Sequence, residues 1–114
     1  MYMLKKFMYL FKHGFYRGME EFDINLEELK KMQKKGAILI DVRAKKEFEE
    51  GHLDGAINIP EYEFNYKFRN LNISNNEIIV VYCSSGNRSK KACLKLKNMG
   101  YTNVYNLYGG LEEY

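Results

Sequence analysis

The sequence predicts an α/β domain built on a mainly parallel sheet. Strand-like and helix-like runs alternate through most of the chain, the pattern of strands joined by helical crossovers. The clearest strand-like run, Glu77–Tyr82, contains the unbroken apolar block Ile78-Ile79-Val80-Val81. Such a block suits a strand covered on both faces, as in parallel sheets. The length of 114 residues fits a single domain, since domains commonly run to roughly 100–150 residues. A hydrophobic content of 46% beside 29% charged residues excludes a disordered chain.

The elements follow in order. Residues 1–21 read as an amphipathic N-terminal extension and residues 22–114 as the domain. Within the extension Leu4, Phe7, Met8, Phe11 and Phe15 recur at helical spacing, with Lys5, Lys6, Lys12 and His13 off that stripe. Gly14 and Gly18 then mark a link. A short apolar run interrupted by Lys12, with no small-residue cleavage site after it, argues against a signal peptide. The stripe is expected to pack on protein, either on its own domain or through a partner or self-association, rather than on a membrane surface.

Asp23 or Asn25 caps a helix expected over Leu26–Lys35, with Glu27 and Glu28 in its first turn and Gly36 at its end. Ala37–Val42 is a buried strand broken only by Asp41. Lys45–Glu50 is a short charged helix closed by Gly51, and Ala56–Ile59 a short strand stopped by Pro60. Residues 61–73 alternate aromatics at Tyr62, Phe64, Tyr66 and Phe68. The segment is read as a helix with Phe64, Phe68 and Leu71 on one face. After the Glu77–Tyr82 strand, Arg88–Met99 forms a helix apolar at Ala92, Cys93, Leu96 and Met99 and ended by Gly100. Asn103–Leu107 is the last strand.

Several function classes drop out. A net charge of +3, from 18 basic and 15 acidic residues, is too even to argue for nucleic acid, and the Lys pairs read as solvated faces. No run approaches the roughly 20 apolar residues of a membrane span. Two cysteines and two histidines make neither a disulfide framework nor metal-ligand spacing. Free thiols in such a chain suit a reducing compartment, so a cytoplasmic location is expected. There is no Cys-x-x-Cys, and the lone Gly109-Gly110 pair lacks phosphate-loop spacing.

The chemistry lies in Tyr82-Cys83-Ser84-Ser85-Gly86-Asn87-Arg88-Ser89, between the clearest strand and a well-marked helix. Open α/β sheets place ligands at the carboxyl ends of their strands. A tight loop running into a helix start aims several N–H groups at one spot. Gly86 permits the curl, the helix end adds positive potential, and Arg88 adds a positive charge. Together they favour a thiolate at Cys83. A buried structural cysteine is the competing reading for any single Cys. It leaves unexplained the small residues that follow and the Arg and Ser that open the helix. Cys93 reads the other way: its place on an apolar helix face makes it core, with a resolving role the lesser alternative.

These residues resemble the rhodanese homology family of single-domain sulfurtransferases. Leu39-Ile40-Asp41-Val42-Arg43 with Glu47-Phe48, Gly51-His52-Leu53-Asp54-Gly55-Ala56-Ile57-Asn58-Ile59-Pro60, and the Cys83 loop resemble its signatures in order. Gly100-Tyr101-Thr102-Asn103-Val104 and Leu107-Tyr108-Gly109-Gly110-Leu111 resemble its close. The resemblance covers residues 22–114. It implies a rhodanese-like fold, with a small parallel sheet flanked by helices on both faces. It implies a nucleophilic Cys83 that accepts a sulfane sulfur from thiosulfate or another persulfide donor and passes it to cyanide or a thiol. The persulfide would be cradled by Ser84, Ser85, Gly86, Asn87, Arg88 and Ser89. No metal or organic cofactor is implied, and two half-reactions predict ping-pong kinetics.

Asp41, Arg43 and His52 are read as supporting residues: the first two fix loops, and His52 is a hydrogen-bonded turn residue rather than a base. Arg43 and Glu47 are spaced so that they could form a helix-side ion pair, worth little if exposed. Two departures stand out. Many thiosulfate-using members place a basic residue directly after the nucleophile, where this chain has Ser84. The family also tends to carry a further helix past the Gly-Gly turn, and the N-terminal stripe is expected to cover the patch left here. The rival functions are a non-turnover sulfur carrier and, less favoured, a phosphatase or arsenate reductase. The latter use a longer ring than the four residues between Cys83 and Arg88.

Overall fold

Five strands form one fully parallel sheet in the computed structural model, which describes residues 21–114. The strands are β1 (Asp23–Ile24), β2 (Ile38–Asp41), β3 (Ile57–Asn58), β4 (Ile79–Tyr82) and β5 (Val104–Leu107), in the order β1-β5-β4-β2-β3. The helices are α1 (Leu26–Lys34), α2 (Lys45–Glu50), α3 (Phe64–Asn70) and α4 (Asn87–Asn98). Single 3₁₀ turns cover Glu61–Glu63 and Leu111–Glu113.

The apolar block of β4 explains the layering. Side chains alternate across a strand, so Ile79 and Val81 enter one core with Ala92, Cys93 and Leu96 of α4 and Phe64 and Phe68 of α3. Val80 and Tyr82 enter the other with Leu29 of α1, Leu39 and Leu107. Helices therefore cover both faces, and the α/β expectation holds. With β2 and β5 on its two sides, β4 has paired backbone on both edges, and its carboxyl end is a rigid mount for whatever follows.

Most predicted elements stand, with ends moved by a residue or two. Asn25 is the cap of α1: its Oδ1 accepts from Glu28 N at 2.8 Å, and Glu28 Oε1 accepts from Asn25 N at 3.0 Å. Asp23, the other cap candidate, lies instead inside β1 and is fully buried. Residues 61–73 do contain a helix, in which Phe64 stacks on Phe68 and Phe68 meets Tyr101 edge-on. Leu71 does not share that face. It follows the last residue of α3 and is 45% exposed. The N-terminal stripe lies outside the described residues. No helix among the described residues is long and apolar enough to cross a membrane.

Candidate functional site

The loop after β4 turns back onto α4 through Gly86, which caps the helix with φ +96°. That left-handed conformation is open to glycine at little cost. It brings two backbone donors onto one atom: Gly86 N lies 3.1 Å and Ser89 N 3.4 Å from Cys83 Sγ. The Ser89 hydroxyl lies 3.3 Å from the same sulfur. The sulfur thus faces the positive end of α4 through the helix's own unpaired amides.

A second segment holds the loop from behind. Leu111 N donates to Cys83 O at 2.7 Å and Glu112 N to Ser84 O at 2.9 Å. A trans peptide sets N–H opposite C=O, so these bonds fix the orientation of the two peptide planes that leave β4. Gly110 makes the approach possible, since a Cβ there would overlap the carbonyl groups of Cys83 and Ser84.

Arg88 does not stand alone at the loop mouth. Its Nη1 and Nη2 donate to Glu47 Oε1 and Oε2 at 2.9 and 3.2 Å, and Nη2 also reaches Ser84 Oγ at 3.3 Å. This bidentate pair holds the Glu47 carboxyl down at about 2, against 4.5 ordinarily, with Arg88 the main cause. Glu47 likewise raises Arg88. The Arg43–Glu47 pair that the spacing allows is therefore not formed. Arg43 binds Asp41 instead, with Nη2–Oδ2 at 2.7 Å, and donates to Gly51 O at 2.6 Å. Arg43 precedes Ala44, the N-cap of α2, so the i,i+4 spacing to Glu47 does not lie along one helix face. Asp41 and Arg43 are both buried and tie the β2–α2 connection together. His52 Nδ1 lies 2.9 Å from Phe48 O, and its ring stacks on Phe48 at 3.7 Å. It is an exposed turn residue, and none of its described contacts is with Cys83.

Behind the sulfur runs a buried polar chain that no local spacing in the sequence signals, because it joins β1 to β5 across the sheet. Ser89 Oγ lies 2.5 Å from Asn106 Oδ1 and 3.1 Å from Gly86 O. Asn106 Nδ2 donates to Asp23 Oδ1 at 2.8 Å, and Lys90 Nζ sits 3.8 Å from Asp23 Oδ2. The carboxylate only accepts, so it fixes which way the Asn106 amide points. Asn106 therefore presents oxygen to Ser89, and Asn106 Oδ1, Gly86 O and the Cys83 sulfur all lie within reach of the single hydroxyl proton. The predicted loop residues divide accordingly: Gly86 and Ser89 touch the sulfur, Ser84 and Arg88 engage Glu47, and Ser85 and Asn87 are exposed.

Cys83 itself is buried beneath this loop. Cys93 is buried too, but in an apolar setting that pushes its thiol far up, burial first and the nearby Asp23 carboxylate second. Both sulfurs are fully buried in the same core; what separates them is the set of donors around Cys83. Among the described residues no cluster of His, Cys, Asp or Glu has a metal-holding arrangement.

The Rhodanese-like domain family model matches residues 25–114. The chain belongs to the rhodanese-like family. Among solved structures, this rhodanese-like chain is similar to the human single-domain sulfurtransferase TSTD1, with TM-score 0.73 and 28% identity over 82% of this chain and 95% of that one. It is 39% identical over 74 residues to thiosulfate sulfurtransferase PspE of Escherichia coli K12, covering 65% of this chain and 70% of the relative. It is also 34% identical over 87 residues to tRNA uridine(34) hydroxylase of Buchnera aphidicola, covering 73% of this chain. There it spans only 28% of the relative's length.

Proposed function

We propose that this rhodanese-like domain is a sulfurtransferase that carries sulfane sulfur as a persulfide on Cys83. The observation that carries the reading is the convergence of the Gly86 and Ser89 amides on Cys83 Sγ at the start of α4. Backbone donors aimed at a sulfur stabilise negative charge there, whether on a thiolate or on the terminal atom of a persulfide. The names of the thiosulfate sulfurtransferase and single-domain sulfurtransferase relatives support the same reading.

The reaction divides into two displacements. The Cys83 thiolate attacks the outer sulfur of a donor; the donor's bond to that sulfur breaks, and sulfite or a thiolate leaves. The Cys83 persulfide then yields its outer sulfur to cyanide or a thiol, and the Cys83 thiolate returns. Each step forms one bond to sulfur and breaks one, so no external oxidant is consumed. The ring of four residues between Cys83 and Arg88 fits a sulfur atom better than a tetrahedral phosphate.

Thiosulfate and cyanide test the proposal together. The protein should release thiocyanate, and Cys83→Ser should abolish that release while leaving the fold intact. Stable loading without release would identify a sulfur carrier instead. Phosphatase turnover lost in Cys83→Ser would overturn the reading.

A further inference from the structure

The sulfurtransferase reading leaves the donor open, and the loop mouth bears on it. Residues 83–89 contain one cation, Arg88. Two of its five guanidinium N–H groups go to the Glu47 carboxylate and a third reaches Ser84 Oγ, which itself lies 3.4 Å from Glu47 Oε2. The next cation along α4, Lys90, lies toward Asp23 instead. A sulfonate entering here therefore meets a paired Arg and a carboxylate. The residue after the nucleophile is a serine, which offers no charge.

We infer that Glu47 is a specificity-determining residue: by occupying Arg88, it turns the site away from the thiosulfate dianion and toward persulfides of thiols as donors. This rests on the sulfurtransferase reading above. In the loading step the Cys83 thiolate attacks the outer sulfur of R–S–SH. The donor S–S bond breaks, R–S⁻ leaves, and the proton stays on the new Cys83 persulfide or passes to water. No sulfonate charge has to be accommodated. Glu47 stays ionised well below neutral pH in its pair with Arg88, so the device operates throughout the physiological range.

Substitution Glu47→Gln isolates the charge. Glutamine keeps an oxygen for the Ala44 N–H, which Glu47 Oε1 accepts at 3.0 Å, and so preserves the start of α2. The measurement is the rate at which Cys83 gains one sulfur atom, read by intact mass, with thiosulfate and with β-mercaptoethanol persulfide. The predicted result is a roughly threefold to tenfold rise in the thiosulfate-to-persulfide rate ratio, the size of a one-charge change at a partly exposed site. Adding Arg88→Gln to Glu47→Gln should cancel the rise, because the gain acts through the freed guanidinium. Ser84→Lys supplies an independent cation at the mouth and should raise the same ratio, even if the Glu47 variant folds poorly. An unchanged ratio in Glu47→Gln, with both donors loading Cys83, overturns the role of Glu47 alone. Failure of both donors to load the wild-type protein overturns the sulfurtransferase reading itself.

Discussion

Substitution Gly110→Ala tests whether the carboxyl-terminal turn holds the Cys83 loop in shape. Gly110 has φ +65° and ψ −162°, a region essentially restricted to glycine. A methyl group there would lie 2.6 Å from both the carbonyl carbon and the oxygen of Ser84, and closer still to Cys83 O. These are backbone atoms of the central loop and cannot swing aside like a side-chain tip. Conformational strain of about 1–3 kcal/mol joins an overpacking cost of about 1–3 kcal/mol. Loss of the Leu111–Cys83 backbone bond adds about 1 kcal/mol. The expected total is about 3–7 kcal/mol, or a fall in Tm on the order of 10–30 °C for a domain of this size. Gly36→Ala is the control: its φ is +91°, but nothing lies within 4 Å of the added methyl, so only about 1–2 kcal/mol is expected. Denaturant unfolding of both variants, with sulfur loading of Cys83 measured in each, gives the comparison. Gly110→Ala should lose stability several-fold more than Gly36→Ala and should load sulfur more slowly even where it is still folded. Equal losses in the two variants, with normal loading, would refute the bracing role.

Other outcomes follow from the same geometry. Asn106→Ala should cost about 2–3 kcal/mol by removing one donor from the buried Asp23 carboxylate, measured by urea denaturation. Native-state alkylation should stop in Cys83→Ala, because Cys93 has none of the donors that surround Cys83 and burial raises its thiol, and should resume only on unfolding. The Glu47 carboxyl is depressed in the folded state, so its contribution is present above pH about 4.5 and fades as pH falls toward 2. At a site about a third exposed that contribution is at most about 1 kcal/mol. The stability difference between wild type and Glu47→Gln should therefore shrink as pH is lowered through that window; a difference constant from pH 6 to pH 2 would contradict the pairing.

What the sequence made legible was local. The β4 strand, the Gly86 turn and the start of α4 are contiguous, so spacing and residue type sufficed to place Cys83 against helix-terminal amides. The layered fold followed for the same reason, from periodicity within single segments. Pairings across the sheet were not legible. β1 is two residues long, too short to show a period, and it pairs with β5 some 80 residues later. The Asp23–Asn106–Ser89 chain depends on that pairing and was invisible with it. The spacing of Arg43 and Glu47 suits a pair on one helix face. The helix starts only after Ala44, and Asp41 lies closer to Arg43, so Glu47 is left to Arg88, 41 residues away. Leu71 illustrates a boundary effect: one residue beyond α3, it no longer shares the face of Phe64 and Phe68.

Intact-mass analysis of the protein after exposure to a persulfide donor, with Cys83→Ala beside it, bears most directly on the sulfur held by Gly86 and Ser89. The account predicts a gain of one sulfur atom in the wild type, reversed by cyanide, and no gain in the variant. An unmodified wild type, or equal gain in a protein that retains only Cys93, would contradict it.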